Sequence, residues 1–272
     1  MTDFGRNGNF GHLHGGIAVD STSVYWGGSW GFGTGWIRKL VKSSSTVSVL
    51  AENVGSGGTP NQPRDVNADG SSVYWIDVNG GPFNTTGVRQ VPISGGNFTT
   101  LTTIGHYTAM AIDLTNVFIS YFDNPFTPIT CKLAKISKSG GNLVDLASIE
   151  GENVCTSGIV VDENNVYWVE AASGKVKKVP ISGGTVTTLA SGLNDPARIA
   201  VDQNYVYWTE AANGVAGAGA VKYVSKNGGQ VVTLASGLNK PYGTATDGVY
   251  LFWTEQNADG TNGTIKTLAL PP

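Results

Sequence analysis

The chain has 272 residues and a formal net charge of −3, and only 14% of its residues are charged, where an average domain has roughly 25%. With no basic run longer than Lys177-Lys178 and no apolar stretch long enough to cross a bilayer as a helix, this balance excludes the footprint of a nucleic-acid binder and a helical membrane span. Thirty-eight glycines, with abundant Ser, Thr and Asn, give the profile of a turn-rich β protein.

One phrase recurs along the chain. Each copy has an Asp six positions before a Trp slot: Asp20/Trp26, Asp69/Trp75, Asp113/Ile119, Asp162/Trp168, Asp202/Trp208 and Asp247/Trp253. The six copies lie 40 to 49 residues apart, and the distance from Asp247 through the C-terminus and on to Asp20 completes one more period. A closed period of this length, rich in β-branched and aromatic residues and punctuated by Gly, predicts an all-β, six-bladed β-propeller with four-stranded antiparallel blades, a single domain over residues 1–272.

In chain order, the opening "MTDFGRNGNFGHLHGG" has neither the basic nor the apolar segment of an export leader, so a secreted or periplasmic location requires a leader absent from this chain. The first copy is followed by "GGSWGFGTGW". There Trp30, on a Gly-rich loop, can stack on a sugar or dock a partner, while Trp36 at the start of a third strand covers the sheet. The third copy, "NVFISYFD", is the most divergent. In the fourth, "GIVVD", "VYWVE", "KVKKVPI" and "TVTTLA" read as four strands from inner to outer. Glycine pairs at 95/96, 140/141, 183/184 and 228/229 fall between third and fourth strands, where a tight hairpin needs positive φ. The sixth copy ends at "GTIKTLALPP", which supplies only a third strand, so residues around Thr2 to Phe4 are expected to complete the blade and close the ring.

The phrases "VYWTE" and "IAVD", followed by Gly-x-Val-Lys-x-Val and a Gly-Gly turn, resemble the YWTD-type six-bladed propellers of lipoprotein-receptor ectodomains and their bacterial relatives. Glu170, Glu210 and Glu255 stand where that motif has Asp. "WTE" followed by Gly-x-Val is also similar to streptogramin lyase type propellers, in which a His and a Glu with a divalent cation carry an elimination.

The Asp at the start of each copy, being common to all six, is expected to cap the turn between first and second strands through its own backbone. Two residues after the Trp slot the chain reads Gly28, Asp77, Tyr121, Glu170, Glu210 and Glu255. These carboxylates are expected to share one mouth of the channel with His14, Arg64, Arg198 and Tyr242, which precede first strands, and to form a polar pocket there. The competing expectation is that each carboxylate pairs with a repeated neighbour such as Lys175, Lys177 or an inter-blade amide. Cys131, at the start of the third strand of blade three, and Cys155, in the loop entering blade four, are expected near one rim and joined as a disulfide.

No zinc spacing, EF-hand or Gly-x-Ser-x-Gly elbow occurs. The reading is a monomeric binding module without a cofactor or metal, taking a small molecule, glycan or protein at the channel mouth. The alternatives are a lyase or hydrolase with Glu210 or Glu255 as base, an Arg as anion stabiliser and a divalent cation, or a multivalent sugar-binding propeller using Trp30.

Overall fold

The computed structural model describes residues 12–30, 34–52, 61–79, 87–103, 106–122, 131–149, 155–156, 158–256 and 263–270. They form a six-bladed β-propeller. Blade one is β1(His12–Val19), β2(Ser23–Trp30), β3(Thr34–Val41) and β4(Thr46–Glu52). Blade two is β5(Asn61–Ala68), β6(Ser72–Asn79), β7(Gly87–Pro92) and β8(Thr99–Thr102). Blade three is β9(His106–Ile112), β10(Asn116–Phe122), β11(Cys131–Ser137) and β12(Val144–Ile149). Blade four is β13(Ile159–Val161), β14(Asn165–Glu170), β15(Lys175–Pro180) and β16(Thr187–Ala190). Blade five is β17(Pro196–Val201), β18(Tyr205–Glu210), β19(Gly219–Ser225) and β20(Val232–Leu238). Blade six has three strands among the described residues, β21(Thr244–Thr246), β22(Tyr250–Gln256) and β23(Gly263–Ala269). The segment expected to complete it, Thr2 to Phe4, lies outside the described residues. Within each blade, strands pair with their chain neighbours, antiparallel wherever the register is given.

By compactness the chain divides into two units. The first is Met1–Met110, Leu114–Asn116 and Ile136–Asn142; the second is Ala111–Asp113, Val117–Lys135 and Leu143–Pro272.

The repeated Tyr-Trp pair explains the core. Neighbouring residues on a strand point to opposite faces of the sheet, so Tyr serves one side of its blade and Trp the other. In the first unit Tyr25 of blade one and Trp75 of blade two share one cluster with Ile37, Leu50, Val66 and Val91. In the second, Tyr167 meets Trp208, and Tyr207 meets Trp253. The Tyr207-Trp208 phrase thus links blade five to blades four and six, with a large aromatic area removed from water on both sides.

In five of the six repeats the Asp is seen to build the turn between first and second strands. Asp20 Oδ1 accepts the Thr22 and Ser23 amides at 2.7 Å each, and the same pair of bonds recurs at Asp69, Asp162, Asp202 and Asp247. The second oxygen takes a phenol where Tyr stands five residues on: Tyr25, Tyr74, Tyr167 and Tyr207 donate at 2.6 to 3.1 Å. Phe118 and Phe252 hold that position in blades three and six. Although burial acts against it, donation from Thr22, Tyr25 and Ser23 brings the Asp20 carboxyl down to about 2. The Gly-Gly hairpins carry positive φ at both residues, as at Gly183 (85°) and Gly184 (131°).

Lysines fasten successive blades. Lys39 Nζ donates to the Ile93 carbonyl at 3.2 Å, Lys135 to Ile181 at 2.7 Å and Lys178 to Lys226 at 2.7 Å. Lys138 reaches back to Asp69 at 2.5 Å and Lys226 to Asp162 at 2.7 Å. Cys131 and Cys155 are joined, with Cα atoms 5.4 Å apart, a bond suited to an oxidising, extracellular-type environment. Among the described residues no helix is long and apolar enough to cross a membrane.

Candidate functional site

Three of the carboxylates that follow the Trp slots, Asp77, Glu170 and Glu210, sit inside the blades, opposite cations supplied by the third strands. Antiparallel register sets Trp168 against Lys177, Trp208 against Lys222 and Trp75 against Arg89. In blade four Glu170 is 3% exposed. Its Oε1 accepts Trp168 Nε1 at 2.9 Å and faces Lys177 Nζ at 3.1 Å, while Oε2 accepts the Ser173 hydroxyl at 2.7 Å. In blade five Glu210, also buried, accepts Trp208 Nε1 at 3.1 Å and Lys222 Nζ at 2.9 Å. The indole N–H and the ammonium together satisfy a carboxylate that burial would otherwise penalise.

Blade two repeats this arrangement with a shorter acid. Asp77 pairs with Arg89 Nη2 at 2.8 Å through Oδ2, but Asp77 Oδ1 and Trp75 Nε1 are buried without a hydrogen-bond partner. Burial raises the Asp77 carboxyl to about 6, against the opposing pull of Arg89. In blade one the acid is replaced by Gly28. A Cβ there would come within 2.4 Å of the Trp36 ring, which lies buried over the glycine and takes the Arg38 guanidinium on its face at 4.4 Å. A π face stands in for the carboxylate. In blade three Tyr121 donates to Asp145 at 2.9 Å, and Asp145 also pairs with Lys132. In blade six Glu255 is half-buried and accepts the Asn239 amide at 3.0 Å. Of the two expectations for this ring of acids, pairing with a repeated lysine describes Glu170, and pairing with a backbone amide describes Glu255.

Of the four residues expected before first strands, Tyr242 alone precedes its strand, while His14, Arg64 and Arg198 lie within β1, β5 and β17, and Arg198 and Tyr242 come together. The Arg198 guanidinium lies 4.7 Å from the centre of the Tyr242 ring, itself 50% exposed, and makes no ion pair among the described residues. The buried Thr209 hydroxyl fixes both strands by donating to the Tyr242 carbonyl at 2.7 Å and accepting the Arg198 amide at 3.3 Å. Arg64 stands exposed on β5. His14 lies on β1 and Trp30 ends β2, and the side chains of both fall outside the described residues. Among the described residues no three His, Cys, Asp or Glu side chains converge as a metal site would require. The cations opposite the Trp slots were legible in the sequence as residues nine apart across a short hairpin for Trp168 and Lys177, whereas the insertion of Trp36 over Gly28 gave no periodic signal.

No family model matches the sequence, and no curated protein matches it. Among solved structures the chain is similar to one in the crystal structure of a nidogen/laminin complex, at 18% identity over 88% of each chain, with a TM-score of 0.63. At that identity the likeness is one of fold, the same six-bladed fold that the resemblance to YWTD-type propellers implies.

Proposed function

We infer that the protein is a secreted or periplasmic binding module, residues 1–272 acting as one domain, that takes a protein partner at the surface around Arg198 and Tyr242. The observation that carries this reading is an arginine with no ion pair among the described residues, stacked on a half-exposed tyrosine. Arg and Tyr are the residue types on which interface energy concentrates, and a rigid aromatic carrying a free guanidinium suits an acidic side chain of a partner. The similar propeller was crystallised in a complex of nidogen with laminin, which supports the choice of a protein over a small molecule. Glu210 has its oxygens engaged by Trp208 and Lys222, which leaves it poorly suited to act as a base.

Affinity capture with the wild-type chain and with Arg198→Ala/Tyr242→Ala, combined with a thermal-shift screen against calcium, magnesium and a sugar panel, tests this. Proteins retained by the wild type and lost by the double variant are the expected result. An identical set on both, or a rise in melting temperature with a metal ion that the double variant abolishes, overturns it in favour of surface solvation or of metal-assisted chemistry.

A further inference from the structure

At the opposite end of the strands from Arg198 and Tyr242, where first and second strands turn, an open cavity of about 430 Å3 lies between blades four and five, both in the second unit. Small-molecule sites occupy about 300–1,000 Å3. Its floor is rigid. Lys178 donates to the Lys226 carbonyl, and Lys226 Nζ in turn bonds Asp162 Oδ2 at 2.7 Å and the carbonyls of Asp202 and Gln203 at 2.6 and 3.0 Å. An ammonium has three donors, so Lys226 is saturated and its charge is cancelled by Asp162.

The walls are amides. Asn164, Gln203, Asn204 and Asn227 line the cavity, and their exposed side chains bond nothing among the described residues. Folding does not require them. Two residues after the repeat Asp the chain reads Thr22, Ser71, Asn164, Asn204 and Val249 in five of the blades, and every one of these donates the same backbone bond to its Asp. The residue after Lys226, Asn227, has Ser94, Ser139 and Ser182 as its counterparts in blades two, three and four. The amides therefore gather at one junction where the repeat leaves the side chain free.

Each amide offers an acceptor and two donors side by side, which matches adjacent hydroxyls. The Tyr205 ring, held edge-on to Tyr223 at 5.0 Å, gives an apolar face beside them. Lys178 makes one hydrogen bond and no ion pair among the described residues, so the cavity retains one positive charge. We propose that the groove between blades four and five binds an acidic saccharide, a uronate-containing oligosaccharide whose hydroxyls meet the amides of Asn164, Asn204 and Asn227 and whose carboxylate meets Lys178.

Isothermal titration of the whole chain with digalacturonate, cellobiose and sodium sulfate tests this. Digalacturonate is expected to bind the wild type, to bind Asn164→Ala/Asn204→Ala at least tenfold more weakly, and to fall to the level of cellobiose with Lys178→Gln, while Arg198→Ala/Tyr242→Ala leaves it unchanged. Thermal unfolding of the amide variant should match the wild type, because its side chains carry no bonds of the fold. The proposal is overturned by absence of digalacturonate binding, by equal binding to the amide variant, by sulfate binding as tightly, or by loss of binding in the Arg198/Tyr242 variant.

Discussion

Replacing Asp77 by Glu should raise the melting temperature, although it adds a methylene to a packed site. In blade two Trp75 Nε1 and Asp77 Oδ1 are buried without partners, whereas a glutamate at the same repeat position takes the indole N–H at 2.9 and 3.1 Å in blades four and five. A buried polar group left unpaired costs about 1–3 kcal/mol. Over-packing by a methylene costs about 1–3 kcal/mol. Two groups satisfied against one methylene added leaves a net gain of about 1–2 kcal/mol, or about 2–6 °C in a chain of this size. The pH dependence provides a second check. Burial holds the folded Asp77 carboxyl at about 6, above the unfolded value of about 3.9. The folded state therefore binds the proton more tightly, and the stability this carboxyl contributes is present below about pH 4 and lost as pH rises to 6, an effect on the order of 3 kcal/mol. Asp77→Asn cannot titrate, so its stability relative to wild type should climb by that amount between pH 4 and 7, from whatever offset the unpaired Arg89 imposes. Urea unfolding of wild type and both variants at four pH values measures this. A Glu variant melting at or below wild type at pH 7, or an Asn difference independent of pH, refutes the reasoning.

Tyr207→Phe removes the phenol that donates to Asp202 at 2.6 Å and should cost about 1–2 kcal/mol in urea unfolding; an unchanged midpoint would mean the turn is held by its backbone bonds alone. Lys177→Met strands the buried Glu170 carboxylate and should cost about 3–5 kcal/mol, with Glu170→Gln in the same chain recovering at least half; a double variant no more stable than the single one would locate the effect in packing. Thiol titration of the denatured, unreduced protein should return no free thiol, and reduction of the bond between Cys131 and Cys155, 24 residues apart, should cost about 3 kcal/mol on loop entropy; two thiols before reduction would show the bond absent.

The repeat was legible because its strictest residues serve each blade alike. Asp202 bonds backbone two and three residues away, and such local bonds leave a fixed spacing in the sequence. The fate of Glu170 was half legible. Its position two after Trp168 suggests a shared edge, but whether that edge meets water or Lys177 depends on how one blade covers the next. Gly28 in the acid position carries no sign in the sequence of Trp36, whose ring lies over it. The stacking of Arg198 on Tyr242 and the amide groove join residues of adjacent blades some 40 positions apart, and among the described residues neither recurs with the period of the repeat.

The lysine fastenings give the blades direction. Lys39, Lys135 and Lys178 each lend an ammonium to the carbonyl of the blade that follows, while Lys138 and Lys226 return one to the Asp of the blade before. A blade therefore has two unlike sides, and between four and five both kinds of bond close on each other. A copy inserted in the chain's own order would find a donor on one side and an acceptor on the other; one inserted in reverse would set ammonium against ammonium. Such a repeat can lengthen by duplication without inventing a new joint, and can vary everything at the joint that the lysines do not touch.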